Sequence, residues 1–269
     1  MAEKTKKKDF VTIMGMKIKH DYLLGFGLLL TTAAYIASHV ILFGILSLII
    51  LVVLFLKDIL PSSNDTKGIK DSVSDLVVAL AVALGAWFLL GFLLNTSTPI
   101  NVVTSCSMLP ILDRGDLIIL QGSQIRTRTI EINHSISPQD FVSEPCKLRE
   151  IATGNERQET CIVGLKVDGN VQLFDKFGDI VVYEPKNSLR NIGPVVHRAV
   201  LRIKYKGIDN YVIKGDNNPS PDLFGISESF ATEEDILGKV IFRAPYLGYL
   251  KLFLSMQFEE PNNCKYLFK

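Results

Sequence analysis

Apolar and polar positions are segregated along this chain. From Tyr22 to Leu56 there is no Asp, Glu, Lys or Arg, and a second charge-free apolar run extends from Leu76 to Leu94. As one helix the first run would measure about 52 Å at 1.5 Å per residue, against a bilayer hydrocarbon core of about 30 Å. It therefore predicts a hairpin of two membrane spans, 22–38 and 40–56, turning at Ser38-His39; a single steeply tilted helix is the alternative. The polar, turn-rich segment 57–75 reads as a linker, and 76–94 reads as a further span of about 28 Å. Beyond Leu94 the pattern changes to short apolar runs such as Leu117–Leu120, Ile180–Tyr183, Val195–Tyr205 and Tyr211–Ile213, separated by Gly, Pro, Asn and Asp. That alternation predicts a mostly β body over 95–269. Residues 122–175 are more polar and predict an inserted lobe or long loop. Residues 245–258 are apolar over too short a length to span, which leaves a helix on the membrane surface or an ordinary packed element.

Charge orients this plan. Lys4, Lys6, Lys7, Lys8, Lys17 and Lys19 crowd the first 21 residues, and such clusters stay cytoplasmic. Three crossings then put 95–269 on the extracytoplasmic side of the cell membrane. A cleaved signal peptide is set aside, because the first run is much longer than an h-region of about 7–15 residues and is followed by another span. Over the whole chain 29 Lys+Arg nearly cancel 28 Asp+Glu, which argues against a nucleic-acid partner. Four cysteines are too few for a disulfide scaffold. Cys146 and Cys161 can close one loop or remain two thiols. The histidines and cysteines show no zinc spacing, so neither a metal nor another cofactor is expected.

Of the four histidines, only His197 sits in an apolar strand beyond the membrane runs. With period two, His197, Ala199, Leu201 and Ile203 share one face, and Arg198, Val200, Arg202 and Lys204 the other. The turn signal Lys206–Asn210 and the apolar Tyr211-Val212-Ile213 predict a hairpin. If Tyr205 faces Tyr211, His197 lies near Ser220, between Asp216 and Asp222. A carboxylate is thereby brought towards the imidazole, with either aspartate able to serve. The hydroxyl candidates Ser105 and Ser107 lie just past the last apolar run.

Together, Ser105-Cys106-Ser107-Met108-Leu109-Pro110, Gly115-Asp116, Gly178-Asp179-Ile180-Val181-Val182, Val196-His197-Arg198 and Lys214-Gly215-Asp216-Asn217-Asn218 with Asp222 resemble type I signal peptidases. The narrower resemblance is to their archaeal and endoplasmic-reticulum branch, in which histidine replaces the lysine base. It implies a membrane-anchored serine endopeptidase that removes signal peptides from preproteins after small residues. The roles it implies are Ser107 as nucleophile, His197 as general base and acid, and Asp222 as orienter of the ring, with Asp216 competing or supporting. The Ser107 N–H and the Ser105 hydroxyl would form the oxyanion hole. Serine needs such a base, and imidazole ionises near neutrality. Preproteins, the bilayer and the translocation channel are the expected partners. Two departures accompany the resemblance: Cys106 stands where a glycine or small residue is usual, and the 90 positions between Ser107 and His197 exceed the usual spacing. A lysine base at Lys214 and an inactive receptor or assembly subunit are the rival readings.

Overall fold

The structure, a computed structural model, describes residues 10–13, 16–38, 41–59, 69–186, 193–227 and 229–269. The chain divides into two compact units, Met1–Leu84 with Leu250–Glu259, and Gly85–Tyr249 with Glu260–Lys269.

In the first unit, β1 (Phe10–Ile13) and β2 (Met16–Lys19) form an antiparallel ribbon that leads into α1 (His20–Ser38), followed by α2 (Ile41–Ile59). The expected turn residue His39 lies outside the described residues. Side-chain hydrogen bonds join the two helices: Ser47 Oγ donates to Thr31 Oγ1 at 2.8 Å. Such a polar contact suits an apolar surrounding, where a lone hydroxyl would be costly. Tyr35 is wholly buried. Its hydroxyl donates to the Phe258 carbonyl at 3.0 Å, and its ring lies 4.5 Å from that of Phe253. The segment 245–258 contains a short helix, α4 (Tyr249–Leu254), which carries Leu252 and Phe253 into buried positions.

The helix α3 (Ile69–Leu94) begins earlier than the charge-free run. Its Leu76–Leu94 stretch is long and apolar enough to cross a membrane; Tyr22–Tyr35 of α1 is shorter.

The second unit is β-rich. Its strands are β3 (Ile100–Val102), β4 (Leu117–Gln121), β5 (Thr129–Ile132), β6 (Phe141–Glu150), β7 (Glu156–Val167), β8 (Asn170–Leu173), β9 (Ile180–Tyr183), β10 (Val195–Tyr205), β11 (Ile208–Lys214), β12 (Ala231–Thr232), β13 (Ile236–Ala244) and β14 (Tyr266–Phe268). One sheet runs β12-β11-β10-β9-β13-β4-β3, with β5 added in parallel beside β10. A second sheet runs β14-β6-β7-β8. The stretch 122–175 is therefore shared: β5 joins the main sheet, while β6, β7 and β8 build a lobe completed by the last strand of the chain. Buried aliphatic side chains line the main sheet: Val181, Ala199 and Ile213 form one cluster, and Leu201 and Val212 form another together with Leu165 of β7.

The β10–β11 hairpin is tighter than the sequence suggested. Lys206 and Gly207 both take positive φ, 50° and 81°, the geometry of a two-residue hairpin turn. Asp209 and Asn210 consequently belong to β11, and Tyr205 pairs with Ile208 instead of Tyr211. A bulge between Ala199 and Leu201 also interrupts the alternation. Val200, expected on the polar face, is buried.

Candidate active site

The nucleophile candidate sits in the turn after β3. Val103 N donates to Asp116 O and Gly115 N to Val103 O, both at 2.9 Å, which closes residues 103–116 into a compact loop. Gly115 takes φ +88°, and any side chain there would overlap the Tyr249 ring. Asp116 accepts from Asp113 N at 2.7 Å and pairs with Arg243. The loop is held from inside by Met108, wholly buried beside Val103 and Leu112. Met108 is thus a core residue, not a lining of a groove or a contact with the bilayer.

His197 enters from the start of β10, where it pairs with Val181 of β9. Its Nε2 lies 2.8 Å from Ser107 Oγ and its Nδ1 lies 2.6 Å from Asp222 Oδ2. A carboxylate can only accept. Nδ1 therefore carries the proton, and the Nε2 lone pair faces the serine hydroxyl. All three residues are buried. Ser105 Oγ is 3.2 Å from Ser107 Oγ; since Ser107 donates to the ring, Ser105 is the donor in that contact.

The two aspartates part company. Asp222 opens a 3₁₀ turn, Asp222–Phe224, and its carbonyl accepts from the N–H groups of Gly225, Ile226 and Ser227 at 2.8–3.1 Å. This anchoring returns its side chain to the imidazole. Asp216 instead forms a two-point ion pair with Arg198, Nε to Oδ1 at 2.8 Å and Nη2 to Oδ2 at 2.6 Å, while Arg198 Nη1 reaches Gly178 O at 2.7 Å. It braces the strand that carries His197 and does not touch the ring. Lys214 Nζ donates to the Gly215 carbonyl at 3.3 Å. Burial lowers its pKa, with Asp216 and Asp222 acting in the opposite sense.

Three features were missed at the sequence level. The Tyr183 hydroxyl donates to Asp222 Oδ2 at 2.7 Å, and burial followed by the neighbouring carboxylate drives its pKa upward. Asn217 is buried within hydrogen bonds to both the serine loop and the C-terminal strand. Cys106 is joined to Cys264, so no free thiol adjoins the serine; of the two states left open for Cys146 and Cys161, the bridged one is formed and was not among the features missed. For Asn217 the signal was visible as one letter of a quoted motif. For the pairing across 158 positions there was none.

Ser107 and His197 open onto a cleft of about 460 Å³ whose walls include Val102, Ile118, Val182 and Val196. On one side lies β3, the last strand of the main sheet's path.

No protein-family model matches the chain. Similar proteins are nevertheless found with one consistent description, signal peptidase complex catalytic subunit SEC11. That of Eremothecium gossypii is 29% identical over 184 residues, covering 67% of this chain and 80% of the relative. The protein of Colletotrichum graminicola is 28% identical over 183 residues, with 67% and 78% covered. Metarhizium robertsii supplies a third, 26% identical over 198 residues, with 73% and 87% covered. With a serine, a histidine and an aspartate meeting in a β unit behind an apolar helix, the chain is a homologue of the signal peptidase complex catalytic subunits.

Proposed function

We propose that this chain is a membrane-bound serine endopeptidase that removes signal peptides from preproteins, with Ser107 as nucleophile, His197 as general base and Asp222 as the group that orients the ring. The observation that carries the reading is the unbroken hydrogen-bonded path Ser107 Oγ, His197 Nε2, His197 Nδ1, Asp222 Oδ2. In this reading His197 takes the Ser107 proton as Oγ attacks the scissile carbonyl, and returns a proton to the leaving amine. Asp222 keeps Nε2 unprotonated beforehand and stabilises the imidazolium afterwards. Water then attacks the acyl group by the same proton route. The Ser107 N–H and the Ser105 hydroxyl meet the oxyanion, each such donor contributing about 3 kcal/mol to the barrier reduction. The Lys214 alternative loses support, because that ammonium donates to the Gly215 carbonyl and, among the described residues, makes no hydrogen bond to Ser107.

Among the described residues β3 pairs with β4 alone, and its outer edge suits a substrate held as an added strand, whose backbone would pair with residues 100–102. Valine and isoleucine walls favour small side chains next to the cut. Confinement to one surface raises the effective concentration of enzyme and membrane-bound preprotein. We further propose three spans, formed by α1, α2 and α3, with the lysine-rich tail cytoplasmic and residues 95–269 exported. Two disulfides suit the oxidising side of such a membrane.

The test is cleavage of a preprotein by detergent-solubilised full-length chain. Ser107→Ala and His197→Ala are expected to abolish product while leaving the melting temperature close to the parent's. Near-normal turnover by either variant would overturn the assignment.

A further inference from the structure

Serine hydrolysis needs more than a reactive hydroxyl: the peptide N–H that meets the oxyanion must be aimed before substrate arrives. In a planar trans peptide the N–H points opposite to the carbonyl of the same unit, so whatever holds the Cys106 C=O also aims the Ser107 N–H. That carbonyl accepts from Asn217 Nδ2 at 3.0 Å, and more weakly from Leu109 N at 3.3 Å within the turn. The next carbonyl, that of Ser107, accepts from the backbone N–H of the same Asn217 at 2.7 Å. Among the described residues the Ser107 N–H itself has no acceptor, and Ser107 lines the cleft. One buried asparagine thus holds the carbonyls on both sides of the nucleophile.

Asn217 is in turn held by the end of the chain. Its Nδ2 also donates to Tyr266 O at 2.8 Å, and its Oδ1 accepts from Phe268 N at 2.8 Å. All three side-chain partners are backbone groups, so the amide cannot flip without losing them. The close approach explains Gly215 as well, since a Cβ there would lie 2.7 Å from the Ser107 carbonyl oxygen. An apolar residue at 217 would leave buried carbonyls unpaired. An aspartate would keep an acceptor for Phe268 N–H but turn a carboxylate oxygen on two carbonyls.

We infer that Asn217 is a positioning residue that presets the Ser107 peptide for oxyanion binding, with the C-terminal strand β14 as its brace. This rests on Ser107 being the nucleophile. Removing the amide donor should spare substrate binding, which does not use the oxyanion geometry, and slow the chemical step. Misaiming one donor is worth roughly 10- to 100-fold in kcat.

The experiment compares Asn217→Ala, Asn217→Asp and Ser107→Ala with the parent in full-length solubilised protein. The readouts are kcat, KM, affinity for a signal-peptide boronate that forms a tetrahedral adduct with the serine oxygen, and affinity for the uncleavable parent peptide. The inference expects both Asn217 variants to lose about 10- to 100-fold in kcat and in boronate affinity, with KM and ground-state peptide affinity within about threefold. Parent-like kcat and boronate affinity in Asn217→Asp would overturn it, as would equal losses in both affinities. Should Asn217→Ala fail to fold, Asn217→Asp, which retains the Phe268 link, decides. Activity surviving in Ser107→Ala would instead sink the assignment of the nucleophile itself.

Discussion

Replacing Asp222 by asparagine separates the two aspartates most sharply. In the parent, Asp222 Oδ2 accepts from both His197 Nδ1 at 2.6 Å and Tyr183 Oη at 2.7 Å, and Oδ1 is buried with no partner among the described residues. An amide can be seated in two ways. With its oxygen on the ring, its NH2 group takes the Oδ1 position and leaves donors unpaired, at about 1–3 kcal/mol. With its NH2 on the ring, Nδ1 must accept, the ring proton moves to Nε2, and Nε2 can no longer take the serine proton. Either way the charge facing the imidazolium is gone; a charge-assisted hydrogen bond contributes about 1.5–3 kcal/mol. Together these come to about 4 kcal/mol, or roughly 10³-fold in kcat at 1.36 kcal/mol per tenfold. Single-turnover cleavage of a preprotein gives the number, with KM expected to change little. Asp216→Asn serves as the comparison: it weakens the pair with Arg198, so it should lower the melting temperature while keeping kcat within about tenfold. A loss under tenfold for Asp222→Asn, or a larger loss for Asp216→Asn, would refute the assignment of roles.

Other expectations follow from particular contacts. The Cys146–Cys161 bridge closes a loop of 15 positions, so Cys146→Ser with Cys161→Ser should cost up to about 3 kcal/mol and lower the melting temperature without changing kcat. Removing the pair Cys106–Cys264, which adjoins Ser107, should lower both, as thermal melts and cleavage rates on the same samples would show. Gly215→Ala pushes a Cβ against the Ser107 carbonyl and should reduce kcat by at least about tenfold, since small displacements of a reacting group are costly; unchanged cleavage would mean the loop yields freely. Burial raises the Asp235 pKa, but the Thr232 N–H, the Lys186 ammonium and the Thr232 hydroxyl together outweigh it and hold the carboxyl below its usual value. A depressed pKa stabilises the fold above the unfolded value near 3.9 and is lost as pH falls through the folded value. Asp235→Asn should therefore flatten the fall in stability below about pH 4, measured by chemical denaturation across pH.

Local sequence carried a large part of this molecule. Charge-free runs marked the helical region, period-two alternation placed His197 on a buried face, and Pro and Gly clusters marked the ends of strands. The resemblance to signal peptidases needed only short motifs in order, because each is a local backbone requirement: a turn after β3, a tight approach at Gly215, a histidine at the mouth of a strand. Even the hairpin register could be approached, missing by the width of a turn because Lys206 accepts a positive φ that the sequence gives little reason to expect.

What the tertiary structure decided is partnership. Asp216 and Asp222 lie six positions apart in one loop and are equally acidic. The 3₁₀ turn at Asp222 sends that side chain to the ring, and Arg198 captures the other. Cys106 meets Cys264, and Asn217 meets Tyr266 and Phe268, because β14 completes a sheet begun by a lobe more than a hundred residues earlier. Periodicity reports which way a side chain faces within its own element. Which distant element waits there depends on the path of the whole chain, and hydrogen bonds and disulfides form only where that path ends within a few ångströms.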